Sequence, residues 1–420
     1  MAKKTKRQTE RDEQIYQLTT LVAGEFSLQE VLDRLAEAAV KIVAVKACSI
    51  RLLDEKAGEL KMRSTYGLSE KYRSKGVVSK NDPVVKAAFA GEAVVLDDMR
   101  VDGRVKYKEA TIEEGLVSQL TVAMQFKGQD IGVLRLYSPE PKRFDEDDIH
   151  LARAVASQCA VAITNARLYR KAIEGSLMAE QMRLAGFIQR KMIPEKPPKI
   201  AKLDIAASYI PCFDVGGDFY DFLKISDNCV AVAIADVMGK GMPAALMMSC
   251  FRSAVRAYAD IEDGGKAIEA IINRLNKMIC GECMNGEFIT FFYAVIDTES
   301  ETITYCSCGH EPTLLIRDKK IIRLAKGGLV LGIDEQAEYE IETVKLEDGD
   351  GLLFYTDGLV DAFNFDEEPW GIDNLHMTAK KFSTGSAEQI VQNLLTYRSR
   401  FVGLARQIDD TSIIAVKFGQ

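Results

Sequence analysis

The sequence predicts an α+β protein in which two domains are joined by a long helix. Its 420 residues exceed one ordinary hydrophobic core. Hydrophobic residues make up 47% of the chain and charged residues 28%, as in globular proteins. Three prolines, Pro194, Pro197 and Pro198, separate a pattern of mixed helices and strands from a strand-rich one. We therefore divide the chain into residues 1–13, 14–165, 166–196 and 197–420.

The charge balance restricts the classes of partner. The chain carries 54 Lys and Arg against 62 Asp and Glu, a net charge of -8, which argues against a broad surface for nucleic acid or anionic membranes. No segment approaches the ~18 consecutive apolar residues of a membrane span. The basic start, Met1–Arg11, lacks the apolar core of a secretion signal. We expect a cytoplasmic protein without a membrane span.

Residues 1–13 form a charged, basic tail that we expect to be disordered. Apolar residues then recur at three- and four-residue steps, which predicts a helix over Ile15–Val45. Alternating apolar residues predict strands around Cys48–Leu52 and Leu60–Tyr66. Asp82 followed by Pro83 marks the start of a second helix.

A short strand, Ala93–Leu96, and a hairpin then precede a long closing helix. Two apolar runs, 119–126 and 131–137, flank the turn signal Gly128-Gln129-Asp130, which predicts the hairpin. Four carboxylates at 145–148 favour a helix N-terminus. This order of elements resembles a GAF domain over residues 14–165. The resemblance implies a sensor that takes a small-molecule or protein signal, although no ligand signature is evident, and His150 has the features of a structural residue.

The closing helix is predicted to continue past Asn165 to about Met192. Ile173, Leu177 and Leu184 form an apolar stripe along it at helical spacing. Two interpretations are equally supported: a helix packed on its own domain, or a connecting coiled coil that transmits a signal, for instance within a homodimer.

Beyond Leu203 the pattern changes to many strands with a few helices, which predicts two sheets with helices packed outside them. The nine cysteines of the chain do not suggest a disulfide framework. Four of them, Cys280, Cys283, Cys306 and Cys308, have the ligand types of a zinc site, but their spacing is irregular. We favour buried strand positions for the last two.

Four segments place carboxylates at the ends of apolar runs. They are GGDFYD at 216–221, DVMGKGMPAA at 236–245, YTDG at 355–358 and DDTS at 409–412. A single Asp-Gly pair most often marks an ordinary turn, but four such segments in one domain indicate a shared site. Carboxylates without histidine or thiolate neighbours suit Mg²⁺ or Mn²⁺, and two such ions can activate water on a phosphate ester.

Together with GH at 309–310, this set resembles the protein phosphatase type 2C (PPM) superfamily, and in particular its bacterial SpoIIE/RsbU-type branch, over about residues 175–420. The resemblance implies a PPM-like β-sandwich flanked by helices. It also implies two metal ions, Mn²⁺ or Mg²⁺, and a water attacking directly without a phosphoenzyme. The implied catalytic residues are Asp218, Asp236, Asp357 and Asp409. The implied metal ligands are these four aspartates and the carbonyl of Val237, with Asp410 as the alternative to Asp409.

The resemblance further implies hydrolysis of phosphoserine or phosphothreonine on a protein, and a STAS-type anti-sigma-factor antagonist as substrate. The rival hypothesis is a non-catalytic binding module with a phosphatase-like fold under GAF control. For His310 we favour a role in holding a turn over that of a general acid. Lys240 stands where a histidine is frequent, and we expect it to be solvated. Arg252 and Arg256 are expected to face solvent, which leaves the group that grips phosphate unassigned.

Overall fold

The structure, a computed structural model, describes residues 27–282 and 286–419. The predicted disordered tail, the predicted helix over residues 15–26 and Cys283 lie outside these ranges. The chain divides into two compact units, Met1–Ser176 and Leu177–Gln420. Within the ranges described, no helix is both long and apolar enough to cross a bilayer.

The N-terminal unit contains a six-stranded antiparallel sheet, in the order β3-β2-β1-β6-β5-β4. Its strands are β1 (Ala47–Asp54), β2 (Glu59–Tyr66), β3 (Val78–Ser79), β4 (Val94–Leu96), β5 (Ser118–Phe126) and β6 (Gln129–Ser138). Its helices are α1 (Leu28–Val43), α2 (Glu70–Arg73), α3 (Pro83–Phe89), α4 (Lys108–Glu113) and the start of α5 (Glu146–Arg190). Helices α1 and α5 cover one face of the sheet, and the short helices cover the other.

Local sequence explains several boundaries in this unit. Ser27 and Glu30 form a reciprocal capping box that starts α1. Asp82 accepts hydrogen bonds from the first free amides of α3, ahead of Pro83. Positive φ angles at Lys127 and Gly128 turn the chain between β5 and β6, as the hairpin signal predicts.

The C-terminal unit contains two sheets. The first has the order β14-β11-β10-β9-β8, with β15 paired to β11, and the second has the order β13-β12-β16-β17-β7. The strands are β7 (Leu203–Ile210), β8 (Phe219–Lys224), β9 (Cys229–Val237), β10 (Ile289–Asp297), β11 (Thr302–Cys308), β12 (Thr313–Arg317), β13 (Lys320–Leu324), β14 (Gly327–Gly328), β15 (Glu342–Lys345), β16 (Gly351–Tyr355) and β17 (Thr411–Phe418). The helices are α6 (Met242–Ile261), α7 (Ile268–Glu282), α8 (Gly371–Phe382) and α9 (Ala387–Val402).

The core of this unit contains two main apolar clusters. One cluster joins α6 and α7 to the first sheet and to residues of the second, such as Phe354 and Ile414. Another packs α8 and α9 against the second sheet. Cys306 and Cys308 are buried on one face of β11, the strand position that we favour over a zinc site. The predicted α+β class is confirmed.

Candidate functional site

The four acidic segments come together where strands of both sheets begin or end. Asp218 directly precedes β8, and Asp236 is the penultimate residue of β9. Asp357 follows β16 by two residues, and Asp409 and Asp410 directly precede β17. Because β8 pairs with β9 and β16 pairs with β17, each sheet contributes one pair of segments. We call Asp218, Asp236, Asp357 and Asp409 the acidic cluster.

Mutual repulsion and burial raise the pKa values of three members of this cluster. Burial and the charge of Asp236 raise the pKa of Asp218 well above its usual range. Burial and the charge of Asp357 raise the pKa of Asp236 to about 7, although a hydrogen bond with Asp218 partly offsets this effect. Burial and the charge of Asp409 raise the pKa of Asp357 to about 6. The cluster therefore holds more negative charge than its surroundings neutralise.

Two side chains partly compensate this charge. The Thr356 hydroxyl donates a 2.6 Å hydrogen bond to Oδ2 of Asp218. The Nζ atom of Lys240 lies 2.7 Å from Oδ2 of Asp409 and also donates to the carbonyl of Ile408. Lys240 is thus exposed, as expected of a solvated lysine, and it is also paired with a carboxylate.

Asp410 is held differently from Asp409. Its Oδ1 accepts a 2.8 Å hydrogen bond from the amide of Cys212, and its Oδ2 accepts one of 2.7 Å from the amide of Gly217. Both carboxylate oxygens of Asp410 therefore bind backbone amides of another segment. In Asp409, Oδ1 accepts from the neighbouring amide of Asp410 at 2.9 Å, and Oδ2 pairs with the exposed side chain of Lys240. This arrangement favours Asp409 over Asp410 as the residue whose carboxylate can bind a metal ion.

Glycines let these segments approach one another. A Cβ atom on Gly358 would lie 1.9 Å from the carbonyl oxygen of Asp410. A Cβ atom on Gly216 would lie 2.2 Å from the hydroxyl of Tyr209. One on Gly217 would lie 2.9 Å from the carbonyl oxygen of Val237. Only glycine fits at the first two positions without displacement of the neighbouring chain.

The end of helix α5 contacts the loop that carries Asp218. Gln189, which is 5% exposed, donates from Nε2 to the carbonyl of Gly216 at 2.8 Å and accepts from the Gly216 amide at 3.0 Å. The guanidinium of Arg190 also donates to the carbonyl of Asp214, at 3.3 Å. Sequence analysis does not assign Gln189 this role, because its partner is a backbone group that is distant along the chain.

Arg398 is a second residue that sequence analysis missed. This buried side chain donates to the carbonyl of Gly358 at 3.2 Å and to the hydroxyl of Thr411 at 3.3 Å. It therefore ties the YTDG segment to the DDTS segment. No local motif marks it, since it lies on α9 between ordinary helical residues.

Arg252 is largely covered, contrary to expectation, whereas Arg256 is exposed as expected, and both pair with Asp221. Nη2 of Arg252 lies 2.9 Å and Nε of Arg256 2.6 Å from Oδ2 of Asp221, which is fully buried. A buried carboxylate needs such partners, because an unpaired charge is costly in the interior. The two arginines neutralise the last residue of GGDFYD, and phosphate recognition stays unassigned.

His310 is 6% exposed, and burial lowers its pKa to about 4. Its Nδ1 lies 2.7 Å from the hydroxyl of Thr290, and its carbonyl accepts a hydrogen bond from the hydroxyl of Ser307. A neutral, buried imidazole does not act as a general acid near neutral pH, so these contacts favour the turn-holding role.

The acidic cluster has the donor chemistry that hard divalent cations prefer, with carboxylate oxygens only. In the part of the chain that the structure describes, no three acidic, histidine or cysteine side chains converge as closely as the ligands of one ion. The aspartates thus lie near one another without forming a closed ligand set. Their type, burial and excess negative charge fit Mn²⁺ or Mg²⁺, whereas their spacing requires side-chain movement.

Comparisons with known proteins identify both regions. Residues 226–419 match the family model "Stage II sporulation protein E (SpoIIE)", and residues 26–164 match "GAF domain". The chain is similar to "Phosphoserine phosphatase RsbU" of Bacillus subtilis (strain 168), with 31% identity over 51% of this chain and 63% of that protein. It is also similar to "Protein IcfG" of Synechocystis sp., with 29% identity over 54% of this chain and 40% of that protein.

Among solved structures, the SiaA-PP2C domain of Pseudomonas aeruginosa has a TM-score of 0.54 and 17% identity, over 59% of this chain and 99% of that chain. At this identity the likeness concerns the fold alone. The C-terminal region of this chain therefore has the PP2C fold and is similar to the SpoIIE family, and its N-terminal region is similar to GAF domains.

Proposed function

We propose that the C-terminal unit hydrolyses phosphoserine or phosphothreonine on a protein partner. The observation that carries this proposal is the convergence of Asp218, Asp236, Asp357 and Asp409, from both sheets, into one partly buried acidic cluster. The similarity to RsbU, whose name describes a phosphoserine phosphatase, supports the same reaction. Whole-protein activity is a proposal here, because the chain spans only 63% and 40% of the two relatives.

The residues of the acidic cluster and their neighbours would have different roles in this reaction. Asp218, Asp236, Asp357 and Asp409 would hold two ions, together with the carbonyl of Val237. When bound, Mn²⁺ or Mg²⁺ would polarise the phosphate ester and activate a water for attack. Thr356 would orient Asp218, while Asp410 would keep the loop of Gly217 in place through its two backbone contacts.

The proposed substrate is a phosphorylated STAS-type anti-sigma-factor antagonist in a partner-switching pathway, as the family resemblance implies. The GAF domain would regulate the phosphatase, and a cytoplasmic location stays a prediction. We also propose a homodimer formed through helix α5. In support, Ile173, Leu177 and Leu184 are 44%, 61% and 54% exposed along one helix.

The activity is tested by hydrolysis of p-nitrophenyl phosphate and of a phosphorylated STAS-domain protein, each with Mn²⁺, Mg²⁺ or EDTA. We expect turnover that requires the metal and is abolished by Asp357→Asn. The matched control is Asp366→Asn, which makes the same change at an exposed aspartate nearby. If wild-type protein shows no metal-dependent turnover on either substrate, the non-catalytic binding module becomes the better hypothesis.

The dimer is tested by the substitution Leu177→Lys, which places a charge in the exposed stripe without touching an aspartate. Sedimentation should show a shift from dimer to monomer, together with altered activity of the full-length chain. Ser176→Lys adds the same charge one position earlier and should leave the oligomeric state unchanged. Equal behaviour of both variants and the wild type would refute a role for the stripe.

A further inference from the structure

Three loops meet beside the acidic cluster in the C-terminal unit. They are residues 211–218, 238–241 and 403–410. Gln407 ties the third loop to the start of the first, because its Nε2 donates to the carbonyls of Ile210 at 3.0 Å and of Asp409 at 2.7 Å. Lys240 ties the second loop to the third through its hydrogen bond to the carbonyl of Ile408. The three loops therefore form one continuous surface next to the proposed metal ligands.

Each of these loops exposes a large apolar side chain. The exposed fraction is 45% for Phe213, 49% for Met238 and 47% for Ile408, and we call these three residues the apolar rim. Met238 follows Asp236 by two residues, and Ile408 directly precedes Asp409. Consecutive Cα atoms are about 3.8 Å apart, so the rim lies close to the acidic cluster. Exposed apolar residues that are scattered singly are ordinary, whereas three around one site favour contact with a partner.

One cation of this surface has no carboxylate partner. The guanidinium of Arg406 lies 5.6 Å from the centroid of the Phe213 ring, within the range of a cation–π contact. In the ranges that the structure describes, Arg406 forms no ion pair, whereas Lys240 pairs with Asp409. A guanidinium that stacks on an aromatic ring keeps its in-plane N–H donors for an acceptor. Arg406 is therefore placed to bind an acidic group of a ligand beside an apolar contact.

These features complement the class of substrate proposed above. The acidic cluster, through the ions that it would hold, accounts for the phosphate group itself. The rim adds apolar side chains and a guanidinium, which suit the residues on either side of a phosphorylated one. An extended peptide advances about 3.3 Å per residue, so residues one to three positions from the phosphate reach the rim. A small phosphate ester has no group at that distance.

We propose that the apolar rim and Arg406 select the protein substrate, by binding an apolar residue next to the phosphorylated one and a carboxylate a few positions away. The apolar residue packs against the rim, and Arg406 pairs with the carboxylate while it stacks on Phe213. The occupant is a segment of the phosphorylated partner, because the rim borders the site that its phosphate must enter. This inference rests on the proposed phosphatase activity and adds the sequence that the activity prefers.

The test uses synthetic phosphoserine peptides and the full-length protein with Mn²⁺. In the first peptide, the phosphoserine is flanked on each side by leucine and then by aspartate. The second peptide has serine in place of the leucines, and the third has asparagine in place of the aspartates. For the wild type we expect kcat/KM to be roughly fivefold or more higher for the first peptide than for the second. It should be roughly two- to fivefold higher than for the third, as for an exposed ion pair.

Ratios of kcat/KM between peptides identify the residues, because a general loss of activity cancels in them. Phe213→Ser and Met238→Ser should each lower the leucine preference towards one, since each removes part of the apolar contact. Arg406→Gln should remove the aspartate preference and keep most of the leucine preference. A merely structural role of these residues would lower all three kcat/KM values together and leave both ratios as they are.

Two variants serve as matched controls. Ile261→Ser removes an exposed apolar side chain at the far end of the 20-residue helix α6, about 30 Å from its start. Arg400→Gln removes an exposed arginine that also lies over an aromatic ring, 6.0 Å from the centroid of Tyr397. Both variants should keep the leucine and aspartate preferences of the wild type.

Hydrolysis of p-nitrophenyl phosphate separates failure of this inference from failure of the proposed function. If the wild type hydrolyses neither this ester nor any peptide in a metal-dependent way, the phosphatase activity is refuted, and the preference with it. If the ester is hydrolysed but the three peptides have equal kcat/KM, only the role of the rim is refuted. The same conclusion follows if Phe213→Ser, Met238→Ser and Arg406→Gln keep both preferences.

Discussion

Each unit contains a charge cluster: the acidic cluster in the C-terminal unit, and Arg51, Arg135 and Lys75 in the N-terminal unit, which we call the basic cluster. The two clusters differ in how they are held. In the C-terminal unit, the acidic cluster receives a hydroxyl from Thr356 and an ammonium from Lys240. In the N-terminal unit, three guanidinium nitrogens of Arg51 and Arg135 are buried without a hydrogen-bond partner. In both units the excess charge indicates a counter-ion. Only the acidic cluster could be predicted from the sequence, because its residues lie in recognisable motifs.

The largest expected effect is that of Asp236→Asn in the acidic cluster. Turnover should fall roughly 1,000-fold, because a lost metal ligand costs several kcal/mol and each 1.36 kcal/mol is tenfold in rate. In EDTA the same variant should unfold at a higher temperature than the wild type, since a repelled carboxylate has been removed. Metal-dependent assays and thermal unfolding in EDTA measure the two effects. If the variant keeps most of its turnover, Asp236 is not a metal ligand of the proposed site.

The next effect concerns Gln189, which supports the acidic cluster from helix α5. Gln189→Leu leaves the amide and carbonyl of Gly216 without their side-chain partner, at a cost of about 1–3 kcal/mol. We expect the Mn²⁺ concentration for half-maximal activity to rise roughly 5- to 100-fold. Gln392→Leu, on the exposed side of α9, is the matched control. An unchanged Mn²⁺ requirement would show that the loop is held by other contacts.

The third prediction tests the basic cluster through pH. The pKa of Lys75 is about 6 in the folded protein, below its value in the unfolded chain. Between these values the unfolded state binds more protons, so the stability of the GAF domain should rise as the pH increases from 6 to 9. Lys75→Met should flatten this rise, as measured by hydrogen exchange of β1 and β6. Lys71→Met, at an exposed lysine, should retain it, and retention in both variants would contradict the prediction.

The smallest effect belongs to Lys240, the cation paired with Asp409. Because the pair is partly exposed, its breakage is worth about 0–1 kcal/mol, or up to fivefold in binding. Lys240→Met frees Asp409 for a metal, so the Mn²⁺ requirement should fall slightly. Lys224→Met removes a similar exposed pair elsewhere and should have no effect. A rise in the Mn²⁺ requirement of Lys240→Met alone would mean that this lysine supports the site.

The sequence predicts most of the acidic site because its residues lie in short motifs at strand ends. It also predicts helix α5, through an apolar pattern that repeats over many turns. It does not predict Gln189 or Arg398, whose partners are backbone atoms that are distant along the chain. It places Arg252 wrongly and misses the ion pair of the exposed Arg256, because helical position alone does not reveal that a buried Asp221 lies opposite both.

The basic cluster was missed for a different reason. Arg51 and Arg135 each lie in a strand, where an alternating polar residue normally predicts a solvent-facing side chain. Here the short helices cover that face of the sheet, so both positions are buried. Periodicity locates a face but does not say what covers it. Only the assembled sheet shows that two arginines are brought together.

The backbone contacts of Asp410 separate folding from the proposed chemistry. Asp410 holds the amides of Cys212 and Gly217, and its own carbonyl leaves room at residue 358 only for glycine. These contacts serve the shape of the unit whether or not a phosphate is ever cleaved. A loss of the proposed activity through Asp236 or Asp357 would therefore leave the requirement for Asp410 and Gly358 in place. Of the two neighbouring aspartates of DDTS, the second supports the fold and the first is the one that the proposed reaction needs.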